Sequence, residues 1–501
     1  MADFLKWEKE DGPRVEGTRD IDQSKVQAPG IVLLPDGGYR LYYTAVGPGR
    51  PFPNCQGYIL SAFSEDGVNW ERPNLGLVEY QGSKDNNIAL LNAAGANVFE
   101  DARETDPARR YKSLFFELHG PDGTPNMGDG VSVAFSPDGV KWTKYEQNPV
   151  ITRSSDSHTL FGWDDLHGKY VSYCRPSLHE GNKIRRIGRA VSDDFVNWTV
   201  PEDVLVPDDD DPPGMEFYGM PVFKYEDLYI GQLWAYQTPP EEPQIRFAGS
   251  IHVQLAGSRD GRVWERLGGR KPFIPNGPPG SIDHWETMTA QSPVVMGDEL
   301  WFYYCGTASE HGFTGRGGPI CLAKLRLDGF VSLDAGDETG TVVTKPFLCE
   351  GDLLKINASA RNGMVGVAVL DESGTQHQGY SRQDCALFDG DAIKHQVTWR
   401  EHSSLKELAG KIEMSDHFNS NNYLKIAYCG INNDTINYYL KRIKNFRYIE
   451  TPNDEDYDYI IMTNRHSGKD QTCFDSYKGK DILFVKRNGL ILSRIRQNTG
   501  S

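Results

Sequence analysis

Carboxylates recur in one setting along this chain, close to the start of a short apolar run. They are Asp20 and Asp22 ahead of Val26 to Leu34, Asp101 in Asn97-Val-Phe-Glu-Asp101, and Asp156 in Ser154-Ser-Asp-Ser-His158. Glu216 follows in Pro213-Gly-Met-Glu-Phe-Tyr-Gly-Met-Pro221, then Asp283 and Glu286 in Gly280-Ser-Ile-Asp-His-Trp-Glu286. Phe217, Tyr218, His284 and Trp285 stand among them. Such a set suits a sugar, because aromatic faces stack on pyranose rings and carboxylates hold hydroxyls. Cleaving a glycosidic bond needs an acid for the leaving oxygen and a carboxylate for water or the anomeric carbon. Carboxylates set close together push their pKa values apart, so one can keep its proton near neutrality. Each acid alone would serve equally well as a turn or strand-end cap; their recurrence at one level is what points to a site.

The elements that must position them are set by a repeat. The phrase Ser64-Glu-Asp-Gly-Val-Asn-Trp70 returns as Ser136-Pro-Asp-Gly-Val-Lys-Trp142, Ser192-Asp-Asp-Phe-Val-Asn-Trp198 and Ser258-Arg-Asp-Gly-Arg-Val-Trp264, with a degenerate fifth copy at Leu327-Asp-Gly-Phe330. The aspartates are 72, 56, 66 and 68 residues apart, a unit near 65 residues. Each phrase follows a strand-like run such as Tyr58-Ile-Leu-Ser-Ala-Phe63, and its Asp-Gly pair makes a tight turn. A second hairpin precedes each phrase, as in Ile31-Val-Leu-Leu-Pro-Asp-Gly-Gly-Tyr-Arg-Leu-Tyr-Tyr43. Two hairpins per unit make a four-stranded blade, and five copies predict an all-β chain whose residues 14–331 form a five-bladed β-propeller. A pair of sandwiches with coincidental turns would not need this period. The loops entering the inner strands of a propeller share one funnel-shaped mouth, so the acids above would meet there.

Residues 332–412 lose the phrase and show alternating runs such as Gly363-Met-Val-Gly-Val-Ala-Val-Leu-Asp371, which predicts a β-sandwich domain. Residues 416–501 change again: all ten Trp precede them, while they hold 8 of the 24 Tyr. A strand over Tyr423 to Tyr428, a helix over Asp434 to Asn445 and a hairpin with an Asn488-Gly489 turn predict a small α/β appendage, fused or foreign. It resembles, weakly, the soluble end of bacterial membrane glycosyltransferases in Tyr457 to Arg465 and Asp481 to Ile495; without their membrane helices no transferase activity follows. Residues 1–415 carry −20 (40 basic, 60 acidic) and 416–501 carry +3 (13 basic, 10 acidic), the total being −17. That balance argues against a nucleic-acid partner and leaves a carbohydrate as the expected one. No apolar run suits a signal peptide or a membrane span, so as written the chain is expected to be soluble and cytoplasmic; a trimmed secreted or periplasmic protein would read alike. The eight Cys are scattered with no Cys-x-x-Cys pair, which predicts buried thiols rather than a disulfide frame or zinc site. The oligomeric state is not legible.

The repeated phrase, together with Asp22, Asp156 and Glu216 entering the inner strands of blades 1, 3 and 4, resembles the five-bladed propeller glycoside hydrolases of the families 43 and 32 type. The resemblance covers residues 14 to about 331 and, with the sandwich, reaches 412. It implies Asp22 as base or nucleophile, Asp156 as the orienting and pKa-modulating carboxylate, and Glu216 as general acid. The Asn-Asp-Pro-Asn motif of the fructan-cleaving branch is absent, the chain having Asp20-Ile-Asp-Gln-Ser24, and the nearest match to Arg-Asp-Pro in blade 2 is Glu104-Thr-Asp-Pro107. No cofactor is expected. In the arabinan- and xylan-cleaving branch a blade-5 histidine supports a central metal, and His284 is the matching position, which makes calcium in the central channel the alternative. Asp208-Asp-Asp-Asp211 is most simply a solvated loop, with calcium again the alternative.

Asp101, Asp283, His284, Trp285, Glu286, Tyr218, Arg175 and His311 are expected to bind substrate. Arg175, or one of Arg185, Arg186 and Arg189, would hold a carboxylated or sulfated sugar if it reached the mouth; a solvated ion pair is the plainer account. His311, in Glu310-His-Gly312, borders the mouth or serves the fold. The leading expectation is a glycoside hydrolase acting on a plant or algal oligo- or polysaccharide, and the alternative is a non-catalytic carbohydrate-binding propeller. Phosphorolysis ranks lower, because no Arg/Lys cluster can be placed beside the acids from sequence.

Overall fold

The structure, a computed structural model, describes residues 2–3, 7–19, 21–22, 25–46, 57–119, 124, 130–177, 184–239, 248–311, 318–335, 339–344, 351–361, 363–371, 373–408, 424–431, 435–437, 461–464, 480–482 and 495–497. Among these the regular structure is nearly all β, its only helical elements being the short 3-10 turns Pro107–Arg109 and Gly268–Arg270. Antiparallel sheets follow one another as propeller blades do. The first runs Lys25–Leu33, Tyr39–Val46, Gly57–Ser64 and Ile88–Leu91, from inside out. The second runs Ala94–Glu100, Tyr111–Phe116, Ser132–Ser136 and Thr143–Lys144, and the third Ser154–Asp164, Lys169–Pro176, Ile187–Ser192 and Glu202–Leu205. The fourth contains Met215–Gly219, Leu228–Gln237 and Ser250–Ser258. The fifth contains Glu286–Thr289, Glu299–Thr307 and Ile320–Arg326, and its outer strand is Glu8–Lys9 from the start of the chain. The inner strands of the first three sheets lie in sequence, the third meets the fourth, and the fifth packs back on the first. A single parallel bridge, Ile251 to Glu286, joins the fourth to the fifth.

The repeated phrase turns out to be a lock between sheets. In each complete copy the serine hydroxyl accepts an amide three residues on, at 2.8 Å for Gly67 and 2.9 Å for Gly139, Phe195 and Gly261. The aspartate then accepts two successive amides, such as those of Val68 and Asn69, both at 2.8 Å. These donors hold the Asp66 carboxyl well below the usual carboxylate range. A tyrosine of the preceding sheet closes the turn. The hydroxyl of Tyr42 donates to the Gly139 carbonyl and that of Tyr173 to Gly261, each at 2.8 Å, and that of Tyr303 to Gly67. In the third copy Phe195 (φ 70) replaces the glycine, and its ring meets Phe135 of the second sheet. In the degenerate fifth copy Tyr225 of the fourth sheet donates to the Asp328 carboxylate. The aspartates of the phrase are therefore turn builders.

Gly67 lies at φ +74, and a Cβ there would stand 2.7 Å from the Tyr303 hydroxyl. Gly67→Ala is accordingly expected to destabilise the fold by about 1–2 kcal/mol, through left-handed backbone strain and loss of the tyrosine contact. Denaturant unfolding checks this, and unchanged stability would remove the lock.

Beyond residue 331 two further sheets share one apolar core containing Leu333, Ile356, Val365, Val367, Tyr380 and Trp399. The described backbone of the last segment joins them: Leu424–Ile431 pairs with Met364–Asp371 and Gly340–Val343, and Thr435–Asn437 with Ser332–Asp334 and Lys355–Ser359. The helix expected over Asp434 to Asn445 meets a strand at Thr435–Asn437; its other residues, the Asn488-Gly489 turn and Asp20 lie outside the described residues. Among the described residues Cys174, Cys305, Cys321 and Cys385 are buried thiols in no disulfide.

Candidate functional site

Three of the expected acids stand at the N-terminal ends of inner strands. Asp156 is the third residue of Ser154–Asp164, Glu216 the second of Met215–Gly219, and Glu286 the first of Glu286–Thr289. Second strands run back toward the same end, so their last residues arrive there too. This brings Arg175 of Lys169–Pro176, Tyr236 of Leu228–Gln237 and Thr307 of Glu299–Thr307 to the group.

The contacts form one continuous cluster. Arg175 pairs with the Asp156 carboxylate, and its Nε donates to the Ser155 hydroxyl at 2.6 Å. Arg185, from the loop before Ile187–Ser192, pairs with Glu216. Tyr218 lies between the two pairs, its ring 4.9 Å from the Arg175 guanidinium and 6.0 Å from that of Arg185. Arg185 also lies 5.1 Å from the Tyr236 ring. His311 meets the rings of Tyr218 and Tyr236 edge-on, at 4.8 and 5.0 Å between centroids, and its Nδ1 bonds to Glu286. Asp156 packs among these groups, yet 37% of its side chain is open to solvent. Burial would raise its carboxyl, but Arg175 and Arg185 outweigh burial and hold it below the usual range. Burial pulls the Arg175 guanidinium down, and Asp156 more than restores it. The Tyr236 hydroxyl is pushed up by burial.

The other expected residues lie elsewhere. Asp101 follows the inner strand Ala94–Glu100 rather than preceding it, because Asn97 to Glu100 are that strand. It therefore sits at the opposite end, buried against Lys112 at 3.1 Å and the Tyr170 hydroxyl. Asp22 has 0% exposure; Arg19 at 3.3 Å and Arg72 at 3.2 Å enclose its carboxylate. An enclosed acid with two guanidinium partners organises the entry to the first sheet and offers no face to a substrate. Asp283 is held by Lys9 of the N-terminal strand, the Tyr304 hydroxyl at 3.0 Å and the Ser281 hydroxyl at 2.8 Å. His284 and Trp285 are half-buried neighbours, with His284 Nδ1 at 3.2 Å from the Gly277 carbonyl. Glu286 is buried and faces His311 and the Thr307 hydroxyl.

Among the described residues no group of three or more His, Cys, Asp or Glu gathers as a metal site. The acidic loop is tied to arginines: Asp211 pairs with Arg266 at 2.8 Å, and Asp208 with Arg270. Arg186 turns away to Asp203, and Arg189 lies 3.8 Å from Asp164. Tyr236 and Thr307 were not anticipated. The signal that finds them is topological: in a hairpin whose first strand leaves the mouth, the second strand ends there.

No known family profile matches the sequence, and no curated protein matches it. Solved structures do. β-1,2-Mannobiose phosphorylase from Listeria innocua, in complex with β-1,2-mannobiose, is similar at 12% identity over 65% of this chain and 98% of its own, with a TM-score of 0.48. A glycosyl hydrolase from Bacteroides ovatus is similar at 14% identity over 64% of this chain and 94% of its own, TM-score 0.44. An N-acetylgalactosamine deacetylase from F. plautii is similar at 17% identity over 66% and 96%, TM-score 0.43.

Proposed function

We propose that the axial cluster binds an oligosaccharide and cleaves a glycosidic bond, with Asp156 and Glu216 as its working carboxylates. The observation that carries this is the pairing of these two acids with Arg175 and Arg185 on either side of Tyr218. Tyr218 and Tyr236 supply faces and edges against which a pyranose can lie, and Asp156 is open to it. Hydrolysis requires one acid to arrive protonated and the other to activate water. An arginine at hydrogen-bond distance favours the ionised carboxylate, so protonation calls for displacement of that arginine.

The same arginines favour a second reading, in which the acceptor is inorganic phosphate rather than water. Guanidinium groups bind phosphate bidentately. In that step a phosphate oxygen bonds to the anomeric carbon, the C–O bond to the leaving sugar breaks, and the leaving oxygen takes a proton from a carboxyl released by its arginine. The test is a panel of plant, algal and β-mannoside oligosaccharides, incubated with and without inorganic phosphate. Free reducing sugar in both conditions supports hydrolysis, and sugar 1-phosphate formed only with phosphate supports phosphorolysis. Binding with no product over long incubation would select the carbohydrate-binding alternative and overturn cleavage.

A further inference from the structure

We infer that Asp211 and Arg266 are positioning residues for Glu216: their buried ion pair fixes the loop from which that acid enters its strand. The loop is Asp208-Asp-Asp-Asp-Pro-Pro-Gly214, with Glu216 two residues past its end. The Asp211 side chain is 3% exposed and that of Arg266 6%. Arg266 Nη1 donates to both Asp211 carboxylate oxygens, at 2.8 and 2.9 Å, and its Nη2 donates to the side-chain carbonyl of Gln254 in Ser250–Ser258. Burial pulls the Arg266 guanidinium below its ordinary value, and Asp211 restores it only in part. Two charges withdrawn from water add little net stability, since apolar residues of similar volume would serve the fold as well. What such a pair does supply is one definite geometry, because each fork and carboxylate must meet the other.

That geometry reaches Glu216 by two routes. Along the backbone, the Asp208 amide donates to the Asp211 carboxylate at 3.1 Å and the Asp211 amide to the Asp208 carbonyl at 3.0 Å, which closes the loop on itself. Pro212 and Pro213 carry the chain onward with φ fixed by their rings. The Gln237 side-chain amide then donates to the Pro213 carbonyl at 2.8 Å, and the Thr238 amide and hydroxyl to the Gly214 carbonyl at 3.0 and 2.8 Å. Through side chains, the Arg266 guanidinium lies 4.9 Å from the ring of Phe217, which is wholly buried. Successive side chains of a strand leave on opposite faces, so a clamped Phe217 commits Glu216 to the other face, where Arg185 pairs with it. The Phe217 amide also donates to the Arg185 carbonyl at 2.9 Å, tying the acid's strand to its arginine. A carboxylate that must meet a glycosidic oxygen or a water tolerates little displacement, about 1 Å costing on the order of 100-fold in rate. This bearing on turnover rests on the glycoside-cleaving reading; the hold on the strand does not.

The experiment is hydrogen–deuterium exchange of the whole protein, read by mass spectrometry, for the wild type, Asp211→Asn and Arg266→Lys. Arg266→Lys keeps the charge and gives up the planar fork and its contact with Phe217. In the wild type the peptide covering Met215–Gly219 is expected to exchange as slowly as Leu228–Gln237. In both variants it should exchange about 10-fold faster or more, while the other sheets keep their rates. Wild-type exchange at the rate of an open loop overturns the inference even if neither variant folds, as does full protection of the peptide in both variants. Loss of the fold in both, or loosening of all sheets together, would make the pair a general stabiliser and overturn it as well. With a cleaved oligosaccharide in hand, kcat should fall about 10-fold or more in each variant while KM stays within about twofold. An unchanged kcat in a variant whose strand has loosened overturns the positioning role. Local loosening in a protein that cleaves nothing would uphold the hold on the strand and overturn the cleavage reading.

Discussion

Asp156→Asn is expected to lower kcat/KM for any cleaved oligosaccharide by about 10³-fold, the usual contribution of a positioned acid or base. The substitution keeps the side chain's shape and takes away its charge and its capacity to carry a proton. Arg175 loses its ion pair but keeps the Ser155 hydroxyl and the Tyr218 face, so the floor of the funnel should stay ordered. Circular dichroism and melting measured beside the kinetics separate the two effects. A variant that cleaves at the wild-type rate would sink the assignment, and one that loses activity only together with its fold would make Asp156 structural. Asp22→Asn is the informative contrast. Because Arg19 and Arg72 enclose that carboxylate, its loss should appear first as reduced stability, with turnover following only as the folded fraction falls.

The largest effect on stability is expected at the other end of the sheets. Lys112 is wholly buried in the second strand of the second sheet, with Asp101 at 3.1 Å and Glu104 at 2.9 Å. Lys112→Met would leave two acids without their cation and should cost about 3–5 kcal/mol. Burial alone would raise the Glu104 carboxyl, but the Asp106 amide and the Lys112 ammonium outweigh it and hold it at about 2. Asp101 is likewise lowered, its burial outweighed by the Tyr170 hydroxyl and Lys112. Folded-state values below the unfolded ones mean that this stability is complete above the ordinary carboxylate pKa of about 4 and is lost as pH falls through the folded values. The variant should therefore differ most from wild type at neutral pH, with the gap closing in acid. Urea unfolding at pH 7 and pH 3 tests this; a cost below about 1 kcal/mol at pH 7 would show that the protein compensates the two acids without the lysine.

The blades were legible because their signal is local. A Ser-x-Asp-Gly phrase builds its turn from bonds spanning two or three residues, so it survives in sequence as a recognisable string. Asp156 and Glu216 were legible for a similar reason, since each lies within three residues of the start of an inner strand. Asp101 was misplaced because the second inner strand begins in Ala94-Gly-Ala, with a register shift between Ala94 and Asn97, and small residues there hide its start. The fate of Asp22 depends on Arg72, fifty residues away, and no local pattern announces such a partner. The same holds for Arg185. Sequence placed it on a strand flank, whereas its bond to Glu216 and its position over Tyr236 exist only once two sheets stand side by side.

The Glu8–Lys9 strand has a consequence for the order of events during synthesis. Its partner strand, Ile320–Arg326, is made roughly 300 residues later, which at about 5–20 residues per second is a wait of about 15–60 s on the ribosome. Through that interval the N-terminal strand has no neighbour and the Asp-Gly turn of the first sheet has no Tyr303 to receive. The first sheets emerge with their fastening still to come, and the last one made completes the first. A chaperone that shields an unpaired edge would thus be needed longest at the N-terminus, while the contacts of His311 with Tyr218 and Tyr236 form only when translation of the fifth sheet is done.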